Sequence, residues 1–247
     1  MIRLNESRTS ALLTEPLGAA FTRAAATSTH AEHAVAVIVG LDGDVDVTTA
    51  RGTVRGAAVV VAADTMYASR SAGPALSLAF DPELCPGVAA FAREHGTSAI
   101  RELAEIARAH GGSLSARDTL VGVGSEIASR LTGSPPRRDR RIASLLDELR
   151  DPDADRAHAV ACTGLSPAHV AALFVRDVGV AMRTFLLWRR LLHGLARVGP
   201  LDLTSAAHAA GFADLAHFSR TCRRMLGYAP SGLQASLVRE ASSAAHF

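Results

Sequence analysis

Apolar positions along this 247-residue chain change their period part-way. From residue 34 they come in short runs, 34–39, 45–49, 57–62 and 75–80, broken by Asp42-Gly43-Asp44, Asp64-Thr65 and Asp81-Pro82. Short strands punctuated by Gly and Asp at this spacing predict a small antiparallel barrel or sandwich. Residues 1–27 carry no such pattern and are expected to be irregular. After Pro86 the spacing becomes helical, and 88–94, 100–109 and 119–131 are predicted amphipathic helices. In the last, Leu120, Val123, Ile127 and Leu131 form one stripe. Ser134-Pro135-Pro136-Arg137-Arg138-Asp139 then breaks the helix and reads as a solvated linker. Asp139 is placed to cap a helix over 140–149, with Ile142, Leu145, Leu146 and Leu149 as its apolar side.

The most informative stretch is 202–230. Asp202 suits an N-cap, and Leu203, Ala206, Ala207 and Ala210 fall on one face of a short helix. Gly211 ends it where a left-handed residue is needed. Phe212 and Ala213 make the corner, and Asp214 caps a second helix with Leu215, Phe218, Cys222 and Met225 as its buried stripe. Its other face presents Ala216, Arg220 and Arg223, flanked by His217 and Arg224. This is the plan of a helix-turn-helix whose second helix enters a major groove.

A second copy lies upstream at an offset of 48 residues. Val170 corresponds to Phe218, Phe174 to Cys222, Arg176 to Arg224, Val178 to Leu226, Gly179 to Gly227 and Ala181 to Ala229. Its second helix opens on Ser166-Pro167, an N-cap followed by proline at the first helical position. Gly164 ends the short helix before it, 156–162. Between the units, 181–196 predicts one continuous helix around Trp188-Arg189-Arg190-Leu191, stopped by Gly199-Pro200. A rigid spacer would hold two recognition helices at a fixed separation, and major-groove segments on one DNA face recur about every 34 Å.

On these residues, 140–233 resembles the DNA-binding domain of the AraC/XylS family of transcription regulators. Ala207, Gly211-Phe212, Phe218, Arg220, Gly227 and Pro230 carry the resemblance in the second unit. Leu165-Ser166, Phe174, Gly179, Phe185, Trp188, Arg190 and Leu191 carry it in the first and the linking helix. Cys222 departs from the family's usual phenylalanine, and the Tyr-Arg often found after Pro230 is replaced by Ser231-Gly232-Leu233-Gln234. The N-terminal texture resembles a shortened cupin-like effector domain.

The resemblance implies an α+β multidomain chain. Residues 1–133 would form a cupin-like effector-binding and dimerisation domain, 134–139 a linker, and 140–247 an all-α domain with two helix-turn-helix units. It implies promoter DNA as partner, activation as the commoner outcome, RNA polymerase as a further partner, and a small-molecule effector. Because the family often dimerises through N-terminal helices, the stripe on 119–131 is expected to form a homodimer interface rather than pack on its own sheet.

Composition adjusts this picture only at the edges. All 26 basic residues are arginine. Residues 1–133 are net acidic, whereas 134–247 hold 15 arginines against 10 acids, the excess a phosphate backbone rewards. The start MIRLNESRTS lacks a signal peptide's apolar core and no 20-residue apolar span is present, so a cytoplasmic protein without membrane attachment is expected. Cys85, Cys162 and Cys222 have no metal or disulfide spacing; Cys162 and Cys222 are expected in the two cores.

The base-contact candidates are Ala216, His217 and Arg220 in the second unit and Ala168, His169 and Ala172 in the first. Arg220 suits a bidentate bond to guanine, whereas the first unit's small side chains touch at most thymine methyls. Direct readout is therefore expected mainly from the second unit. Arg176, Arg183, Arg190, Arg223 and Arg224 are the candidates for backbone contact. His30, His33, Asp64 and Tyr67 are the candidates for an effector pocket. His30 and His33 have His-x-x-His spacing and no later strand supplies a third histidine, so they are read as surface or strand-edge residues, and no metal, cofactor or catalytic set is expected. The rival reading is a small cupin-type metal enzyme with a helical appendage; a third is a sensor half that retains only a partner-binding role.

Overall fold

The computed structural model describes backbone for residues 2–4, 9–14, 17–22, 25–110, 114, 117–151 and 154–231, and side chains from residue 26 onward within those segments except at Arg117. The chain begins with β1 (Ile2–Leu4), β2 (Thr9–Thr14), β3 (Leu17–Thr22), β4 (Ala25–Ala26) and β5 (Val35–Gly40). Then come β6 (Val45–Thr49), β7 (Gly52–Gly56), β8 (Ala58–Val61), β9 (Tyr67–Ser71) and β10 (Ala75–Phe80). They form two antiparallel sheets, ordered β1-β2-β3-β10-β5-β8 and β4-β9-β6-β7, and the short β11 (Ser98–Ala99) extends the larger one beyond β8.

The runs 34–39 and 57–62 are apolar throughout because β5 and β8 are covered on both sides. Val35, Val37, Val39, Ala58 and Val60 point into a core shared with helices α1 (Pro86–His95), α2 (Arg101–Ala109) and α3 (Arg117–Arg130). Their alternating neighbours Ala36, Ile38, Val59 and Val61 meet Val45, Val47 and Tyr67 between the sheets. The N-terminal half is thus helices on a large sheet on a small sheet, with the period-2 alternation serving two cores at once.

Three expectations need correction here. The described residues before Thr27 are strands rather than irregular chain: β3 pairs along its whole length with β10, Leu17 opposite Phe80 and Thr22 opposite Ala75. Alanine- and threonine-rich segments of this kind become strands through a partner far along the chain, which local pattern does not report. Strands β7 and β9 also lie outside the predicted runs; β7 is polar on its exposed side and turns back from β6 through a two-residue loop closed by Thr49 opposite Gly52. Third, Leu120, Val123, Ile127 and Leu131 all lie in the N-terminal half's own core, so that stripe is not a dimer interface.

Among the described residues the elements of the C-terminal half are helices: α4 (Arg140–Glu148), α5 (Arg156–Cys162), α6 (Pro167–Val178), α7 (Met182–Leu195), α8 (Leu203–Ala209) and α9 (Leu215–Leu226). Each unit has its own core. Ile142, Leu145, Leu146 and Leu149 pack with Val170, Phe174 and Phe185 in one. Trp188, Leu191, Ala206, Ala207, Phe212, Phe218, Cys222 and Met225 form the other. Helix α7 contributes to both and fixes one unit against the other. Cys222 is buried as expected, but Cys162 is exposed, its Sγ 3.4 Å from His158 Nε2 on the outer side of α5. Gly232, Leu233 and Gln234, where the sequence departs from the family pattern, lie outside the described residues.

The linker is not free. Arg138 donates to the Glu83 carbonyl at 2.9 Å, and the Asp139 amide donates to buried Asp177 at 2.8 Å. Arg141 is held by Asp139, whose carboxyl that pairing keeps well below the usual carboxylate range.

Candidate nucleic-acid interface

Each recognition helix is started by a side-chain cap and stopped by a glycine. Ser166 accepts from the His169 amide and Asp214 from the His217 amide. Gly179 and Gly227 end the helices at φ 94° and 75° in the left-handed region, where a Cβ is strained. Helices α5 and α6 meet at 87°, as a helix-turn-helix requires. In the second unit Gly211 makes the turn at φ 74°, and Phe212 fills the corner against Phe218 with ring centroids 5.0 Å apart. The second helix is seated by close approach at Gly194 of α7, where an added Cβ would sit 2.9 Å from the Phe218 ring.

The outward faces carry the residues predicted to meet DNA. On α9, Ala216, Arg220, Arg223 and Arg224 are exposed, and His217 is half-buried, its ring edge-on to Phe212. On α6, Ala168, His169, Ala172 and Val175 are exposed, a face with no cation at its centre. Arg176 is exposed but its Nε bonds to buried Asp177, so its charge is already engaged. Arg183 is exposed at the start of α7. Arg190 is exposed beside the second turn, its Nε 3.7 Å from where a Gly211 Cβ would lie, which suits a brace across that turn.

The four pocket candidates do not share a pocket. His30 is buried, not at the surface; its ring lies 4.5 Å from the Tyr67 ring and Nε2 is 3.2 Å from Glu32, which also accepts from the Tyr67 hydroxyl. Burial opposes the charged ring, but Glu32 and the Ser28 carbonyl outweigh it and raise the His30 pKa. His33 is fully buried elsewhere: Nε2 lies 2.8 Å from Glu83, and the ring stacks on Trp188 at 5.8 Å and tilts against Phe185. Asp64 is an exposed corner at φ 57°, its amide bonded to the Glu32 carbonyl. A separate open groove of about 360 Å³ lies on the outer side of the small sheet, lined by Asp46, Thr48, Thr53 and Arg70 among others.

His30 and His33 flank the seam between the halves, whose residues the sequence did not reveal. The Ala31 amide donates to the Arg224 carbonyl at 2.8 Å and the Ser28 hydroxyl to the Gly227 carbonyl at 3.0 Å. Arg93 reaches the Val178 carbonyl, and Trp188 Nε1 donates to Asp81 at 3.1 Å. Asp81-Pro82 read only as a turn, and nothing local marks Arg93 or Ser28.

Two capped tri-element units on one rigid helix define a double helix-turn-helix protein. Residues 159–236 match a family model described as a helix-turn-helix domain. A search of curated protein sequences gives no match. Among solved structures, an apo point variant of ToxT from Vibrio cholerae is similar at 12% identity and TM-score 0.53, covering 95% of this chain and 99% of that one. Unsaturated fatty acid-bound wild-type ToxT from the same organism is similar at 12% identity and TM-score 0.53, over 96% of this chain and 99% of that one. At such identity the likeness establishes the two-part fold, a β-rich N-terminal half followed by helices and a C-terminal helix-turn-helix half. No helix among the described residues is long and apolar enough to cross a membrane.

Proposed function

We propose that this chain is a sequence-specific, DNA-binding transcription regulator acting in the cytoplasm on promoter DNA, with no catalytic step. The observation that carries the reading is the pair of capped helices with exposed outer faces, held on the single helix α7. They would enter successive major grooves, with α9 reading bases through Arg220 and α6 positioning the protein through shape and methyl contacts. Residues 1–133 form the sensing domain, 134–139 the linker and 140–247 the DNA-binding domain. A small-molecule effector acts on the sensing domain; ToxT with a bound unsaturated fatty acid makes fatty acids the first class to test. A homodimer through the N-terminal half would use exposed surface of α3, where Val121 is 40% exposed. RNA polymerase is the further partner, and activation the expected outcome.

The test is binding of the purified protein to the DNA upstream of its own gene against a scrambled duplex, across a salt series. A preferred complex that weakens steeply with salt supports the reading. Absence of any DNA binding at moderate salt, with and without fatty acids, defeats it.

A further inference from the structure

Three potential metal ligands converge in the seam. His33, Asp81 and Glu83 each offer a donor atom within 4.8 Å of the others, and all three side chains are buried. The loop between β10 and α1 brings the two carboxylates; the segment before β5 brings the histidine. The 2.8 Å from His33 Nε2 to Glu83 is close to the separation of two ligands set about 2.1 Å from one ion at a right angle. Trp188 Nε1 holds Asp81 from outside the cluster, the kind of outer hydrogen bond that orients a ligating carboxylate.

The donors meet out of bulk water: His33, Asp81 and Glu83 are 0%, 6% and 6% exposed. His33 turns Nε2 toward the carboxylates, so Nε2 is the imidazole donor of the site.

We infer that His33, Asp81 and Glu83 form a binding site for a divalent transition-metal ion in the seam between the two halves. One imidazole nitrogen and two carboxylates are a donor set for zinc, iron(II) or manganese(II). Asp81 is bonded to Trp188, the chain's single tryptophan, so occupancy is reported at α7, the helix shared by both recognition units. The binding does not rest on the regulator reading; only its consequence for DNA does.

The test is a titration of the full chain with Zn²⁺ and Co²⁺, following bound metal, cobalt absorption and Trp188 fluorescence together. One ion per chain is expected, with the fluorescence change saturating in step and a cobalt spectrum free of thiolate charge transfer. Glu83→Gln and Asp81→Asn, verified as folded by circular dichroism, are each expected to weaken binding by about 10-fold or more. His30→Gln, which alters the other buried histidine, leaves it unchanged. No saturable binding up to about 1 mM metal overturns the site on the wild-type chain alone. So does a thiolate band, which places the ion at Cys162 and His158, or full affinity in folded Asp81→Asn.

Discussion

At the residue scale the chemistry of the proposed DNA face is asymmetric. Arg220 is the exposed cation central to α9, and a bidentate pair with guanine is worth about 1–3 kcal/mol of discrimination. Arg220→Ala is therefore expected to lower the ratio of specific to nonspecific affinity by roughly 5- to 150-fold. Equal loss on both DNAs in a competition assay would assign it to phosphate instead. The thiols sort by environment. Cys222 is buried and its thiol is pushed up to about 12, mainly by burial, whereas Cys162 lies in solvent. Alkylation at mild alkaline pH, mapped by mass spectrometry, should modify Cys162 first and Cys222 only on unfolding. His30 gives the seam a pH dependence. Its folded pKa is raised, so its contribution to stability is complete below pH 6.5 and fades as pH climbs through the folded value. Melting temperature should fall between pH 6 and 8 by more in the wild type than in His30→Gln. Glu83 works at the opposite end: burial would raise its pKa, but His33 and Arg189 hold it below the ordinary value, so its contribution is lost in acid. Outward residues such as Arg220 and Ala172 were legible because helical spacing alone assigns their face. His30 and His33 were not, because what buries them comes from Tyr67, Glu83 and Trp188, far along the chain.

At the element scale, caps and glycines made the C-terminal half readable. Asp139, Ser166, Asp202 and Asp214 all accept helix-start amides as the pattern required. Gly194 was not singled out, because a glycine within a helix reads as a small loss of propensity rather than as a contact. Replacing it with alanine should gain about 1 kcal/mol of helix propensity. It also forces a methyl to 2.9 Å from Phe218 and 3.2 Å from Ala210, and overpacking of this kind costs about 1–3 kcal/mol. We expect Gly194→Ala to melt lower and to bind DNA more weakly, since α9 must shift; a melting temperature at or above wild type would show that the pocket accommodates the methyl. In the N-terminal half, β5, β8 and β10 were visible as mainly apolar runs, and β6 by its alternation, with Val45 and Val47 inward and Asp46 and Thr48 outward. The polar β7 and the alanine-rich β3 owe their structure to partners rather than to local pattern.

For the whole molecule, the decisive feature is how the two halves meet. Charge and prolines mark 134–139 as a solvated linker, yet Arg138 and Asp139 anchor it to Glu83 and Asp177. Arg138→Ala should release it and speed cleavage by trypsin between the halves, read as the rate at which an N-terminal fragment accumulates; an unchanged rate would mean that Asp139 alone secures the segment. Both recognition helices are gripped from the N-terminal half at the same end. Arg93 reaches the last turn of α6, and Ala31 and Ser28 reach the end of α9, while Ala168 and Ala216 near the opposite ends are exposed. Each helix has 12 residues, a rod of about 18 Å. Held at its far tip, such a rod works as an oar in a rowlock: turning it by about 10° sweeps the leading end through roughly 3 Å. That stroke is as long as one hydrogen bond to a base edge, so on the proposed DNA-binding reading a small turn at the grip would decide whether the leading end makes or misses the groove.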